Sequence, residues 1–261
     1  MKRLLILNLI ALAALSGIAA QQIPTSTPAP TPPPGPSPAA QRPPGVITVE
    51  MKADIAMARK EYRKAIELYQ SIEPQTHVTL NKIGIGYHHL MELEKAKKYY
   101  ERSAKMKKDY SEALNNLGAV HYAKRSYRRA VSWYNKALKY APASASIHSN
   151  LGTAWFARKK YDRAAKEYQI ALDLDPEVFE HRGTTGVLLQ ERSVQERAKF
   201  HYYLSRVYAQ AGMADRCLMY MRKALEEGFR DRKKFVEDPE FAAMQQVPEF
   251  QALLEWEPRV L

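Results

Sequence analysis

The chain has 261 residues, a single cysteine, and 40 Lys and Arg against 28 Asp and Glu, for a net charge of +12. One cysteine excludes an internal disulfide and any cysteine-based metal cluster. Roughly 210 residues could pack, enough for one elongated domain, and the basic balance favours acidic partners without naming one.

Residues 1–20 read as a secretory signal. Lys2 and Arg3 form the charged region, Leu4 to Leu15 the apolar stretch and Ser16 to Ala20 the small-residue cleavage region. The apolar stretch is short for a membrane span, with an uncleaved anchor as the alternative. No cysteine follows it, which excludes the usual bacterial lipoprotein anchor. The expected location is therefore extracytoplasmic, periplasmic or secreted, with no transmembrane domain after cleavage. Residues 21–45 hold ten of the sixteen prolines. Such a stretch cannot bury enough apolar area to fold, and it reads as a disordered, stiff spacer with polyproline II character. A docking site for a proline-binding module is the other reading.

From residue 46 to 229 one pattern dominates. Ile83-Gly84, Leu117-Gly118 and Leu151-Gly152 recur every 34 residues, as do Ala96, Ala130 and Ala164, and Tyr100, Tyr134 and Tyr168. A fixed period of this length signals a solenoid. Within one unit, Leu114, Leu117, Gly118 and His121 fall three and four apart on one helical face. Tyr127, Ala130, Val131, Tyr134, Ala137 and Leu138 form a second. Gly118 and Ala130 are small so that two helices can approach closely. Tyr134 is large so that it fills the space between one pair and the next. Pro142 and Pro176 reset the chain direction. Two further copies are looser: Ala53, Ala65 and Tyr69 upstream, at a step of 31, and Leu204-Ser205, Tyr208, Cys217 and Met221 downstream.

The fragments Leu80-x2-Ile83-Gly84-x2-Tyr87, Leu114-x2-Leu117-Gly118-x2-His121 and His148-x2-Leu151-Gly152-x2-Trp155, each followed by Ala-x3-Tyr, resemble the tetratricopeptide repeat. The resemblance implies an all-α, right-handed superhelical solenoid of about five helix-turn-helix repeats. Its concave face in this family usually binds peptides or protein segments. Fold alone does not fix function.

Residues 177–192 read as an insertion. Gly183-Thr184-Thr185-Gly186 argues against a continuous helix there, and the run lacks the lysine and the spacing of a phosphate loop. Ser193-x-x-Glu196 is a capping box that starts the next helix, which Gly212 ends. A partner helix follows and ends at Gly228. Residues 230–261 leave the pattern. Pro239 and Pro248 sit at the expected starts of two short helices, with Phe241, Met244, Phe250, Leu253 and Leu254 inward. This segment is expected to cap the last apolar face of the stack.

The expected binding surface lies on the first helix of each pair. Lys82, Asn116 and Asn150 form one column at the repeat interval. An asparagine has a donor and an acceptor, so a column of them can grip a peptide backbone without reading its sequence. In tetratricopeptide proteins that hold extended peptides, the resemblance assigns that role to the sites of Asn116 and Asn150. The clamp for a C-terminal carboxylate is absent, because Ser146 and Asn150 stand where it needs Lys and Arg. Asn81, Asn115, Ser149, Tyr122 and Phe156 are the neighbouring partner-binding residues expected on this face, the two rings as exposed anchors.

A second column, Lys64, Lys95, Arg129, Arg163 and Arg216, precedes the small residue of each second helix. It forms a basic strip, read either as a solvated face or as a dock for acidic proteins, anionic lipid or acidic envelope polymers. A secretory signal argues against nucleic acid. The seven histidines are scattered, and no metal motif, cofactor fingerprint, G-x-S-x-G or paired-carboxylate constellation stands out. The sequence thus points to a non-enzymatic interaction scaffold of the cell envelope.

Overall fold

The computed structural model describes residues 47–180 and 193–257, and every regular element among them is helical. The leader, the proline-rich stretch and the Gly183–Gly186 run lie outside the described residues. Ten helices form five consecutive hairpins: α1 Val49–Ala58 with α2 Tyr62–Gln70, α3 His77–His89 with α4 Leu93–Met106, α5 Ser111–Ala123 with α6 Tyr127–Leu138, α7 Ala145–Ala157 with α8 Tyr161–Leu174, and α9 Val194–Gln210 with α10 Ala214–Glu226. Each hairpin packs on the next along the chain.

The glycines of the repeat have a definite partner, a ring of the second helix, and Gly152 also meets the backbone of the small residue Ala164. A Cβ on Gly84, Gly118 or Gly152 would stand 2.5 Å from the ring of Tyr100, Tyr134 or Tyr168 respectively. Each tyrosine ring lies against the glycine of the first helix of its own pair, and all three are buried. Tyr134 shares one buried cluster with Ile147 and Leu151 of the following pair. The outer hairpins vary the solution. By register, Ala53 takes the glycine position and Tyr69 the ring position in the first, and in the fifth Ser205 takes the glycine position while flexible Met221 takes the ring position; all four are buried. A larger floor is matched by a more adaptable side chain. Cys217 occupies the small-residue position of α10 and is buried, which pushes its thiol up to about 12.

Local signals set the helix ends. Ser193 accepts a hydrogen bond from the Glu196 amide at 3.2 Å, and Gly212 and Gly228 take φ of +71° and +83° at the ends of α9 and α10. His148 ties the two helices of the fourth hairpin to the linker before them: its ring nitrogens lie 2.7 Å from a Glu167 carboxylate oxygen and 3.0 Å from the Pro142 carbonyl.

The C-terminal segment contains three short helices, one more than the sequence suggests: α11 Lys234–Glu237, a 3-10 helix Pro239–Gln246 and α12 Pro248–Glu255. They pack on α9 and α10. Phe235, Phe241 and Phe250 are fully buried, each worth about 1.5–3 kcal/mol of apolar burial. Tyr202 joins them, stacked on Phe229 with ring centroids 4.4 Å apart and donating to Asp238. Arg206 reaches Asp238 at 3.5 Å and Glu240 at 3.4 Å, which pins the cap to α9.

Candidate functional site

The column of the first helices is a ladder between hairpins. Asn116 donates its side-chain amide to the Asn81 side-chain carbonyl at 2.9 Å, and Asn150 donates to Asn115 at 3.1 Å. Lys82 completes the series by donating to Glu50 at 3.0 Å and Asp54 at 2.7 Å of α1. The register is constant: 116 to 81 and 150 to 115 span one period plus one residue, and 82 to 50 does the same with the shortened first step of 31. Burial raises the Asp54 carboxyl, but hydrogen bonds from Lys82 and Tyr69 outweigh this and hold it below the usual carboxylate range.

These contacts change how the expected residues can act. Asn81 and Asn150 are 5 % and 6 % exposed, and Ser149 is buried as well. Lys82, Asn115 and Asn116 remain half-buried. One amide hydrogen of Asn116 and one of Asn150 is committed to the preceding hairpin, and each amide keeps a second. The Asn150 side-chain oxygen is buried with no hydrogen-bond partner. Leaving a buried acceptor unmet costs about 1–3 kcal/mol.

Tyr122 and Phe156 are not exposed anchors. They are 8 % and 4 % exposed and pack as rings across the turn of their own hairpin, against Tyr127 and Tyr161, both at 5.2 Å between centroids. Phe156 also meets Phe200 and Tyr203 of the next pair. Their place near the end of the first helix brings them against the start of the second, and ring burial wins there. His88 is likewise drawn inward beside Tyr100, and burial holds its imidazole down to about 4.

The basic column is less uniform than its sequence. Lys64 pairs with Glu61 at 3.0 Å, Lys95 with Glu92 at 2.6 Å, and Arg216 with Glu180 at 2.9 Å and Glu177 at 3.3 Å. Arg129 is exposed. Arg163 lies over the Trp155 ring at 4.8 Å, with Arg158 at 4.7 Å from the same centroid, and Lys95 lies over Tyr87 at 5.3 Å. Cations resting on rings are held in place by the ring quadrupole as well as by neighbouring acids.

Sequence reasoning missed two features. One is Glu50 and Asp54, four apart on α1 and one shortened period before Lys82, which the repeat register could have revealed. The other is the conformation of the hairpin turns, where Lys60, Met91, Arg125 and Lys159 take φ of 62°, 58°, 55° and 58°.

Among the described residues, no helix is long and apolar enough to cross a membrane, and no three His, Cys, Asp or Glu side chains gather as a metal site. The tetratricopeptide repeat family model matches residues 92–144 and 127–178. No curated protein matches the sequence. Solved structures similar to the chain include a crystal structure of MamA, at 18% identity over 69% of this chain and 96% of that one, with a TM-score of 0.46. Residues 41 to the end of MamA from Desulfovibrio magneticus RS-1 align at 19% identity over 70% and 95%, with a TM-score of 0.47. Likeness at this level carries no argument about what the chain binds. Residues 92–178 are thus tetratricopeptide repeats, and hairpins continue the stack on either side of them.

Proposed function

We propose that this scaffold holds an extended segment of a partner protein along the faces of its first helices, outside the cytoplasm and without catalysis of its own. The observation that carries the reading is the asparagine ladder itself, which leaves Asn115 and Asn116 half-buried on the faces of the first helices. Each rung uses one amide hydrogen, so half-buried Asn115 and Asn116 keep both donor and acceptor capacity for a ligand. These groups fit the backbone N–H and C=O of an extended chain and do not select its side chains. Half-buried Lys82, Ile85 and Ala119 border the same face. Tetratricopeptide repeats are interaction modules, and this reading gives the surface and the polarity of contact.

The test is a photo-crosslinking residue at Ala119 in the full chain, compared with the same chain carrying Asn116→Asp. The substitution keeps the size and the acceptor but removes the amide donor to Asn81. If a backbone segment is held as proposed, Asn116→Ala abolishes a defined crosslinked product that Asn116→Asp weakens less. Equal product from all three chains contradicts the proposal. An acidic partner bound through the strip of five cations is the rival reading. It has less behind it, because Lys64, Lys95 and Arg216 already have carboxylate partners.

A further inference from the structure

The turns within the hairpins lie side by side along one edge of the stack, because each hairpin packs on the next with the same connectivity. At one position of that turn the backbone is left-handed in all five hairpins: Lys60, Met91, Arg125, Lys159 and Gly212. Only the fifth uses glycine, the residue that reaches this conformation without steric cost. Long side chains hold it in the other four, and three of the four are basic. Left-handed non-glycine residues persist where the surroundings or the function require the side chain.

What surrounds them is consistent. Arg59-Lys60, Lys124-Arg125 and Arg158-Lys159 are tandem cations at the tips of the first, third and fourth hairpins, and all but half-buried Arg158 are exposed. Residues 59–64 and 158–163 each carry four cations against one acid, and residues 124–129 carry four against none. Between the first and third tips stands Met91, 60 % exposed, an unbranched apolar side chain pushed outward by the same backbone twist. Of the nearby acids, Glu61 and Glu92 pair with the strip lysines, and Glu94 pairs with Lys124. The fifth turn, with Gly212, has no such tandem.

We propose that this edge docks on an anionic lipid surface, with the paired cations at the headgroups and Met91 entering the interface between them. Charge complementarity supplies the attraction, each Lys or Arg near such a surface adding about fivefold to affinity at low salt. A soluble polyanion would use the cations but would give a protruding methionine nothing to enter, which favours the bilayer. The edge is separate from the asparagine ladder, so failure of either proposal leaves the other standing.

The test uses the full chain and co-sedimentation with phosphatidylcholine vesicles, with and without phosphatidylglycerol. The apolar residues 1–20 are present in every variant and with both vesicles, so the reading is the phosphatidylglycerol-dependent increment. The variant K60G/R125G/K159G removes three cations while giving each turn the residue that suits its backbone. K60N/R125N/K159N repeats the test with another residue that tolerates positive φ. The expected result is an increment that falls as salt rises, that both triple variants reduce about tenfold or more, and that Met91→Ser reduces about threefold. No increment in the unaltered chain overturns the proposal, as does an increment that the triple variants leave unchanged. Loss of heparin binding in the triple variants without loss of the vesicle increment also overturns it, and assigns the edge to a soluble polyanion.

Discussion

The third and fifth hairpins share one architecture and differ at the helix crossing, at the turn and on the face of the first helix. In the third, Gly118 lies under Tyr134, the turn carries Lys124-Arg125, and Asn115 and Asn116 face the neighbouring hairpins. In the fifth, Ser205 and Met221 take the positions of that glycine and ring, the left-handed turn residue is Gly212, and Tyr202 and Tyr203 replace the asparagines. Tyr202 and Arg206 there turn to the cap. The comparison separates two demands on one repeat. Volume at the helix crossing and left-handed backbone at the turn are kept by any pair of residues that satisfies them. The ladder and the basic tips disappear where the hairpin's task is to receive a lid.

The largest effect is expected from the interlock. Tyr134→Ala opens a void over Gly118 and should lower stability by about 4 kcal/mol in denaturant unfolding. Met221→Ala in the fifth hairpin should cost less, about 2–3 kcal/mol, because a flexible thioether leaves neighbours more room to relax. Acid comes next. Burial chiefly depresses the imidazoles of His88, His89, His121 and His201, and His88 falls from 6.5 to about 4. The unfolded chain therefore takes up protons at about 6.5 while folded His88 does not until about 4. Unfolding binds protons across that window, so stability falls as pH drops through it and is flat above it. Melting temperatures recorded against pH should show that slope, and His88→Gln should make it shallower.

Asn116→Ala cuts one rung and leaves the largely buried Asn81 carbonyl without its donor, at a cost of about 1–2 kcal/mol. No equivalent loss is expected on changing Tyr203 to Phe, since the ladder does not continue there. The smallest effects lie in the turns and have opposite signs. Gly212→Ala should cost about 1 kcal/mol, whereas Arg125→Gly should be neutral or gain up to about 1 kcal/mol, both read from thermal melts.

The hairpin stack was open to sequence reading because its constraints are local and recur: Gly and Tyr sixteen residues apart in three copies, and Pro142 and Pro176 one period apart where a second helix gives way to the next hairpin. The capping serine and the two prolines of the lid were equally plain, because each acts on its own backbone. The asparagine column was visible, but its use was not. Whether a side chain between stacked helices faces a ligand or the previous helix depends on the rise between hairpins, which composition does not encode. Tyr122 and Phe156 show the same limit, since their rings could reach outward or across the turn, and packing chose the turn. α11 was missed because its Lys234–Glu237 turn holds one buried residue, Phe235, too few for a period to register.

The ring-on-glycine interlock can be tested alone by a double-mutant cycle on Gly118 and Tyr134 in the full chain. Gly118→Ala should cost about 1–3 kcal/mol by forcing a methyl group into the ring. Combined with Tyr134→Leu, which gives that methyl group space, the loss should fall short of the sum of the two single losses by about 1 kcal/mol or more. Strict additivity would mean that the two residues do not meet, and would contradict the packing on which the whole stack depends.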